Sequence, residues 1–247
     1  MAERRLRAHA VTVRFGGLVA VDAVDFEIAA RELVGVIGPN GAGKTTFFHT
    51  LSGIVRPTSG RLLVGDADLT GRAPEVFAGH GVARTFQTPR VFGDMSAEAN
   101  VRFGLEFAGR HRAHTHPAFA SAASILDFLG LAGYAQTTAG ALTPARQRLL
   151  EIGMALGARP SVLLLDEVAA GLTERELAEA AALIRRVRDE LDLAVVWIEH
   201  AVRALMGTVE RVVVLHEGRK IADGPTASVA RDPAVVEAYL GRAAGST

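Results

Sequence analysis

The sequence predicts an α/β fold that combines a parallel sheet with an antiparallel β-subdomain and an inserted helical subdomain. Three short apolar runs are typical of buried parallel strands, at residues 33–37 (LVGVI), 161–167 (SVLLLDE) and 193–200 (LAVVWIEH). Residues 10–28 instead alternate apolar and polar side chains, as antiparallel strands do. Between residues 94 and 142, Ala, Leu and Phe recur at helical spacing, which indicates helices inserted into the core.

A phosphate-binding loop follows the first apolar run, because GPNGAGKTT stands between that strand and a predicted helix. Its glycines allow positive φ angles and close approach of N–H groups to a polyphosphate, and the helix N-terminus attracts the same phosphates. Lys44 would contact the β- and γ-phosphates, and the Thr45 hydroxyl would ligate Mg²⁺. A glycine-rich turn without a ligand is the alternative, and both flanking elements argue against it. The predicted nucleotide-binding residues here are Gly38, Pro39, Asn40, Gly41, Ala42, Gly43, Lys44, Thr45 and Thr46.

The composition excludes several classes of partner and site. Lys plus Arg and Asp plus Glu number 27 each, so no basic field indicates a nucleic-acid partner. The absence of cysteine excludes a disulfide framework and a Cys-based zinc site. The N-terminus lacks the apolar stretch of a secretory signal, and no run approaches the ~20 apolar residues of a membrane span. We therefore expect a soluble cytoplasmic protein.

The alternating residues 10–28 break at Gly16–Gly17, which predicts two antiparallel strands joined by a turn. Phe15 stands just before the break. An aromatic residue at a strand end can stack on a purine, but within an alternating strand it more often belongs to the core, and the pattern alone favours the core. Residues 56–60 (RPTSG) predict a turn, and a strand then returns the chain.

The helical subdomain is expected over residues 94–157, inserted into a core formed by residues 1–93 and 158–247 of a single domain. Three histidines, His111, His114 and His116, fall in an Arg- and Pro-containing linker of this region. A metal site is one interpretation. A solvated loop is the favoured one, because no carboxylate or Cys stands near them in the sequence.

Two carboxylates, Asp166 and Glu167, end the second apolar run at the sheet edge where α/β proteins place ligand chemistry. Asp166 is placed to hold Mg²⁺ and Glu167 to orient or deprotonate the attacking water. An exposed acidic turn is the weaker alternative. The third run ends in His200. A lone His after a strand is usually structural, so a catalytic role for His200 is the minor interpretation from the pattern alone.

Capping residues mark two helices. Thr143 is a predicted N-cap followed by Pro144 at the first helical position. Thr173 and Glu176 form a predicted capping box. Two segments close the chain, a hairpin and a short amphipathic helix, at residues 211–224 and 232–241.

With these motifs in this order, nearly the whole chain resembles the ATP-binding subunits of ABC transporters. FGGLVAVDAVDFEI, VIGPNGAGKTTFF, ARTFQTPRVF, LLEIGMAL and RDPAVVEAYLG resemble the branch that serves branched-chain amino-acid and urea-type importers. ARTFQ is more similar to the first of two paired ATPase subunits. The resemblance implies an Mg²⁺-dependent ATPase that powers an importer from the inner face of the cell membrane. Implied partners are integral membrane permease subunits, a second ATP-binding subunit and, indirectly, a solute-binding protein.

The resemblance also implies roles for particular residues. Phe15 becomes the aromatic residue that stacks on adenine, and His200 the contact to the γ-phosphate, which reverses both interpretations from the pattern. Gln87 becomes the link between Mg²⁺, the attacking water and the membrane subunit. Residues 88–95 would form part of the groove for a coupling helix. The implied catalytic residues are Glu167, His200 and Gln87, and the implied Mg²⁺ ligands are Thr45, Gln87 and Asp166.

The chain departs from the family pattern at its signature, where LTPAR replaces LSGGQ. Pro144 has no N–H to offer a γ-phosphate and Ala145 introduces a Cβ. The degenerate signature comprises Thr143, Pro144, Ala145 and Arg146. The chain also departs from the family pattern at three other positions. Val168 stands where Pro is usual, Thr173 where Asp or Asn is usual, and Ala201 where Asp often follows the His.

These departures lead to the hypothesis of an asymmetric heterodimer, in which this chain's phosphate loop, Asp166, Glu167 and His200 are completed by a partner's intact signature. Two other functions stay open at this point. One is a regulatory subunit that binds ATP and turns it over poorly, and the other is a non-transport ABC ATPase. The sequence does not identify the transported solute.

Overall fold

A computed structural model of the chain describes residues 4–106, 116–169, 171–199 and 202–240. The strands are β1 (Arg4–Phe15), β2 (Leu18–Ala29), β3 (Leu33–Ile37), β4 (Ser59–Val64), β5 (Ala67–Asp68), β6 (Val82–Arg84), β7 (Val162–Asp166), β8 (Ala194–Ile198), β9 (Arg211–His216) and β10 (Arg219–Pro225). The helices are α1 (Lys44–Leu51), α2 (Pro74–Gly79), α3 (Ala97–Glu106), α4 (Ala122–Phe128), α5 (Pro144–Gly157), α6 (Glu174–Leu191), α7 (Val202–Met206), α8 (Thr226–Val229) and α9 (Pro233–Leu240).

The central sheet has six strands in the order β10-β9-β3-β8-β7-β6. All neighbouring pairs are parallel except the edge pair of β10 and β9. Ile198 of β8 pairs with Val36 on one side and with Asp166 on the other. The phosphate-binding loop after β3 and the acid pair after β7 therefore leave the sheet at the same edge, where parallel sheets bind ligands.

The second sheet is antiparallel, with four strands in the order β2-β1-β4-β5. Its β1–β2 hairpin turns at Gly16–Gly17, so the predicted pair of strands is confirmed. The hairpin predicted over residues 211–224 is also present, and it turns at Glu217–Gly218 between β9 and β10.

Alternate side chains of the parallel strands pack into two separate apolar clusters. In β8, Val195 and Trp197 join one cluster with side chains of α3, α4, α5 and α6. Val196 and Ile198 join the other, with α1 and the antiparallel sheet. Both faces of the central sheet are thus covered, which explains why its strands read as continuous apolar runs.

The helices begin at the predicted caps. Thr143 Oγ1 accepts a hydrogen bond from the Arg146 N–H at the start of α5, over 3.4 Å. Thr173 and Glu176 form both bonds of the capping box at the start of α6. Residues 97–106 and 116–157 contain α-helices and 3₁₀ turns, while the limits of the helical subdomain stay a prediction. Within the described ranges, no helix has both the length and the apolar character needed to cross a bilayer.

Candidate nucleotide-binding site

A cavity of about 780 Å³ opens at the carboxyl edge of the central sheet. It brings together residues that are far apart in the chain: the exposed end of the β1–β2 hairpin, the phosphate-binding loop, Gln87 and Glu167. Its lining residues from the predicted site are Phe15, Asn40, Gly41, Ala42, Gly43, Lys44, Thr45, Thr46, Gln87 and Glu167. The Glu217–Gly218 turn closes one side. Gly38 and Pro39 do not line this cavity but lead into the loop from β3.

Two glycines of the loop are required by close packing as well as by backbone angle. Gly38 has φ 154° and Gly43, which caps α1, has φ 94°. A Cβ at Gly38 would lie 2.1 Å from the Leu215 carbonyl oxygen, and one at Gly43 would lie 2.2 Å from the Ala20 carbonyl oxygen. No side chain fits at either position, so these two glycines allow the loop to pack closely against β9 and β2.

Lys44 is buried at the first position of α1. Its Nζ donates to the carbonyl oxygens of Gly38 (2.7 Å) and Pro39 (3.0 Å). The ammonium group is therefore held within the loop itself, at the helix N-terminus that attracts phosphate. A phosphate oxygen at this point would meet both charges.

Glu167 lies just beyond β7 with φ 48°, a left-handed conformation that is uncommon for a residue with a side chain. The residue is 8% exposed, its N–H donates to the Ile198 carbonyl oxygen (2.9 Å), and its Oε2 accepts from Gln87 Nε2 over 2.7 Å. The strained backbone turns this carboxylate toward the cavity, whereas its neighbour Asp166 does not line it. Glu167 is thus the carboxylate available to a water molecule in the cavity.

Asp166 is buried and forms an ion pair with Arg84, with Nη2 and Oδ2 3.1 Å apart. Burial raises the pKa of the Asp166 carboxyl above its usual range, and the Arg84 guanidinium opposes that rise. The Asp166 N–H donates to Thr85 Oγ1 (3.1 Å), which fixes the main chain at the strand end.

The donors at this edge suit Mg²⁺. The Thr45 hydroxyl, the Gln87 amide and the carboxylates of Asp166 and Glu167 are hard oxygen ligands. The described residues contain no cluster of three or more His, Cys, Asp or Glu side chains able to hold a metal by themselves. A cation at this edge would therefore depend on phosphate oxygens and water for its remaining ligands, as Mg²⁺ bound with a nucleotide does.

Phe15 is 52% exposed and lines the cavity, so the interpretation of Phe15 as a core residue is wrong. The cause is a change of register in β1 between Val13 and Arg14, after which both Arg14 and Phe15 face solvent. Simple alternation does not anticipate such an irregularity.

The signature residues lie away from this cavity, at the start of α5. Thr143 and Pro144 are exposed, and the Arg146 guanidinium stacks on Tyr134 with 4.0 Å to the ring centroid. Thr143 Oγ1 is already used to cap the helix. The segment therefore does not complete the chain's own nucleotide site.

The histidine predictions fall mostly outside the described residues: His200, His111 and His114 all do. His116 is described. Its Nδ1 accepts the Ala118 N–H (3.1 Å) and its ring packs edge-on against Phe119. That ring nitrogen caps the 3₁₀ turn Pro117–Phe119, which is a structural role.

Arg84, Arg148 and Glu151 are not among the predicted site residues, but each contacts one of them or its neighbour. Arg148 Nη1 donates to the Gln87 carbonyl oxygen (2.9 Å), and Glu151 Oε1 accepts from the N–H groups of Phe86 (3.1 Å) and Arg90 (3.0 Å). Helix α5 thus holds the segment that carries Gln87. The available signal was a charged residue at a position expected to be buried: Arg84 ends the short strand VAR, and Glu151 stands among apolar residues of LLEIGMAL.

Glu199, directly after β8, is 2% exposed. Its Oε1 accepts from Trp197 Nε1 (3.1 Å) and from the Ala169 N–H (2.5 Å). It joins the strand that leads to His200 to the loop that follows Glu167.

Known proteins share both the sequence and the fold. The family described as "ABC transporter" matches residues 21–170, more than half of the chain, and one described as "Branched-chain amino acid ATP-binding cassette transporter" matches residues 219–245. The high-affinity branched-chain amino acid transport ATP-binding protein BraF of Pseudomonas aeruginosa is 36% identical, with 98% of this chain and 100% of the relative covered. LivG of Escherichia coli K12, with the same description, is 37% identical at the same coverage.

Among solved structures, the ADP conformation of an ATP-binding cassette of an ABC transporter superposes with a TM-score of 0.85 at 26% identity, covering 96% of this chain and 99% of that one. The predicted α/β fold with its antiparallel and parallel sheets is therefore confirmed. Three comparisons agree on the family: the family match spans the phosphate-binding loop and the acid pair, the relatives are similar along the full length, and the solved cassette has the same fold. This chain belongs to the ABC transporter family and is an ATP-binding cassette of a transport ATPase.

Proposed function

We propose that this chain hydrolyses ATP to power import of branched-chain or other hydrophobic amino acids. The observation that carries the proposal is its similarity, along the whole length, to proteins described as high-affinity branched-chain amino acid transport ATP-binding proteins. The match of residues 219–245 to the branched-chain family supports it from an independent part of the chain, which includes β10 and α9.

The proposed chemistry is in-line attack of water on the γ-phosphate. Lys44 and the N–H groups of the loop hold the β- and γ-phosphates, and the exposed Phe15 ring stacks on adenine. Thr45, Asp166 and Gln87 would hold Mg²⁺, which when bound would neutralise charge on the phosphate oxygens.

Glu167 orients and deprotonates the attacking water, the bond from the γ-phosphorus to the bridging oxygen breaks, and ADP and phosphate result. The 2.7 Å bond from Gln87 Nε2 to Glu167 Oε2 supports this role, because it orients the carboxylate at the cavity wall. His200 is proposed to contact the γ-phosphate on the basis of the family resemblance.

The proposed membrane partners are integral permease subunits that bind beside Gln87. Residues 88–95 and the exposed side of Phe103 in α3 support this docking surface. Phe92 and Phe103 are 43% and 38% exposed, and their ring centroids are 4.7 Å apart. An exposed pair of aromatic rings suits an apolar face of a permease helix. The chain would then lie peripherally on the inner face of the cell membrane, and a solute-binding protein would be an indirect partner through the permease subunits.

The proposed second partner is another ATP-binding subunit with an intact signature. The chain's own signature supports asymmetry, because Pro144 at the first position of α5 has no N–H and Thr143 Oγ1 is engaged as the cap. The same observation favours one alternative, a subunit that binds ATP and turns it over poorly. Glu167, facing the cavity, favours hydrolysis.

Transport by the assembled complex tests the proposal. The chain and its genomic neighbours are co-expressed, reconstituted in proteoliposomes and assayed for ATP-dependent uptake of labelled leucine. Lys44→Ala should reduce uptake at least ~100-fold, because the substitution removes the positive charge that stabilises the transferring phosphate. The matched control is Lys220→Ala, which removes only a partly exposed ion pair with Asp223. ATP-dependent uptake that excludes all hydrophobic amino acids would contradict the assignment, as would leucine uptake that survives Lys44→Ala.

A further inference from the structure

Arg84 is a largely desolvated cation beside Asp166 at the carboxyl edge of the central sheet. It is the last residue of β6, and its side chain is 9% exposed. Its three nitrogens donate in three directions. Nη2 reaches Asp166 Oδ2 (3.1 Å), Nη1 reaches Ser52 Oγ (2.9 Å), and Nε reaches the Thr85 carbonyl oxygen (3.3 Å). One side chain thereby joins the end of α1, the end of β6 and the end of β7.

Aromatic rings fix the plane of the same guanidinium. Its central carbon lies 5.2 Å from the ring centroid of Phe48 in α1 and 4.8 Å from that of Phe86, which precedes Gln87. Such contacts stabilise a desolvated Arg. Arg84 is therefore held by partners other than Asp166, and its position does not depend on that carboxylate.

The pairing leaves Asp166 with two different oxygens. Oδ2 is occupied by Arg84, whereas Oδ1 takes part in no hydrogen bond within the described part of the chain. A carboxylate anchored through one oxygen presents the other in a defined direction. Partners of this kind, which hold a metal ligand without touching the metal, strongly affect metal affinity.

We propose that Arg84 is a positioning residue for the divalent cation, holding Asp166 by Oδ2 so that Oδ1 faces the metal or its bound water. The inference rests on the proposed Mg²⁺ site at Asp166. On this proposal, the Mg²⁺ affinity of the site depends on Arg84 although Arg84 contacts neither the metal nor the nucleotide. A planar fork is needed, because a lysine ammonium cannot reach Ser52 and Asp166 from one fixed geometry.

The test measures ATP binding by equilibrium dialysis, first in EDTA and then across a titration of Mg²⁺. For Arg84→Lys we expect the Mg²⁺ concentration that half-maximally enhances ATP binding to rise about tenfold. Binding in EDTA should stay within about twofold of wild type, because the phosphate-binding loop is unchanged. Ser52→Ala removes one anchor of Arg84 without touching Asp166, and should shift the Mg²⁺ midpoint in the same direction by a smaller factor.

The matched control is Arg90→Lys. Arg90 also stacks on Phe86, 4.4 Å from its ring centroid, but it is exposed and forms no ion pair with Asp166. Its Mg²⁺ midpoint should equal that of wild type. Circular dichroism checks that each variant is folded. If Arg84→Lys does not fold, the Mg²⁺ midpoint of Ser52→Ala tests the proposal instead.

The outcomes separate the two proposals. Wild-type binding that Mg²⁺ does not enhance would overturn the Mg²⁺ site itself. A normal enhancement in wild type with unchanged midpoints in the folded Arg84 and Ser52 variants would overturn the role of Arg84 alone. A lower midpoint in Arg84→Lys would also overturn it, because it would mean that Arg84 competes with the cation.

Discussion

Two separate constraints require glycine at position 43: its backbone angle and its close packing. It adopts φ 94° as the N-cap of α1, and a Cβ there would lie 2.2 Å from the Ala20 carbonyl oxygen. The positive φ is needed for a loop that wraps around a polyphosphate, and the sequence motif already indicates such a loop. The close packing is against Ala20 in the β1–β2 hairpin of the antiparallel sheet. No local sequence pattern predicts this contact.

Gly43→Ala should therefore lower the unfolding free energy by about 1–3 kcal/mol and weaken ATP binding, since backbone strain and a clash both act on the loop. Gly71→Ala is the matched control, because Gly71 also has positive φ (69°) but meets nothing within 4 Å of the added Cβ. Urea unfolding and equilibrium dialysis measure the two effects. Equal losses for the two variants would show that packing against Ala20 has no part.

Residues next to one another in the sequence were the predictable part of the site. The loop from Gly38 to Thr46 and the acid pair are each local, and each lies where the sequence places it. The pairing of Arg84 with Asp166 is not local, because it spans 82 residues and depends on the register in which β6 meets β7. Phe15 was misjudged from the pattern since a register change in β1 moves it out of the alternation.

At the scale of elements, α5 and the segment after β6 form one unit. Arg148 and Glu151, one helical turn apart, bind the carbonyl and N–H groups of residues 86–90, so a shift of α5 would move Gln87 and, through it, Glu167. Sequence periodicity predicted the helix and its Thr143 cap, but its apolar spacing gives no sign of these polar contacts.

Glu151 gives this unit a measurable pH dependence. Burial raises the pKa of the Glu151 carboxyl above its ordinary value of 4.5, with hydrogen bonds from Arg90 and Phe86 and the charge of Arg148 opposing the rise. The folded chain therefore binds this proton more tightly than the unfolded chain. The resulting stability is complete below pH 4.5 and is lost as pH rises through the higher folded-state pKa.

Glu151→Gln cannot ionise, so its unfolding free energy should increase relative to wild type as pH rises from about 4 to 8. Urea unfolding across that range measures the difference. Glu75→Gln, on the exposed first turn of α2, is the control and should show no such trend. A difference between Glu151→Gln and wild type that is constant with pH would contradict the burial argument.

At the scale of the whole molecule, the site exists because two sheets meet. The parallel sheet supplies the loop and the acid pair, whereas the antiparallel sheet supplies Phe15 and the Ala20 backbone against which the loop rests. The order of strand types along the sequence predicted both sheets. The order β10-β9-β3-β8-β7-β6 could not be predicted in the same way, because neighbours in that sheet are distant in the chain.

The degenerate signature also has its consequence at this scale. Thr143, Pro144 and Arg146 lie at the start of α5, outside the chain's own nucleotide cavity. Under the proposed pairing with a second ATP-binding subunit, they would face that subunit's nucleotide site. We therefore expect ATP hydrolysis by the complete complex to depend on Glu167 of this chain, with the second nucleotide site contributing little.

Steady-state ATPase activity of the purified complex, with and without Glu167→Gln, tests this claim most directly. We predict a loss of turnover of at least ~100-fold, as expected when a general base is removed, with ATP binding within about twofold of wild type. Glu75→Gln is the control, because Glu75 is exposed on α2 outside the nucleotide cavity and should leave turnover unchanged. Turnover near wild type in Glu167→Gln, abolished instead by the equivalent change in the partner subunit, would contradict the account.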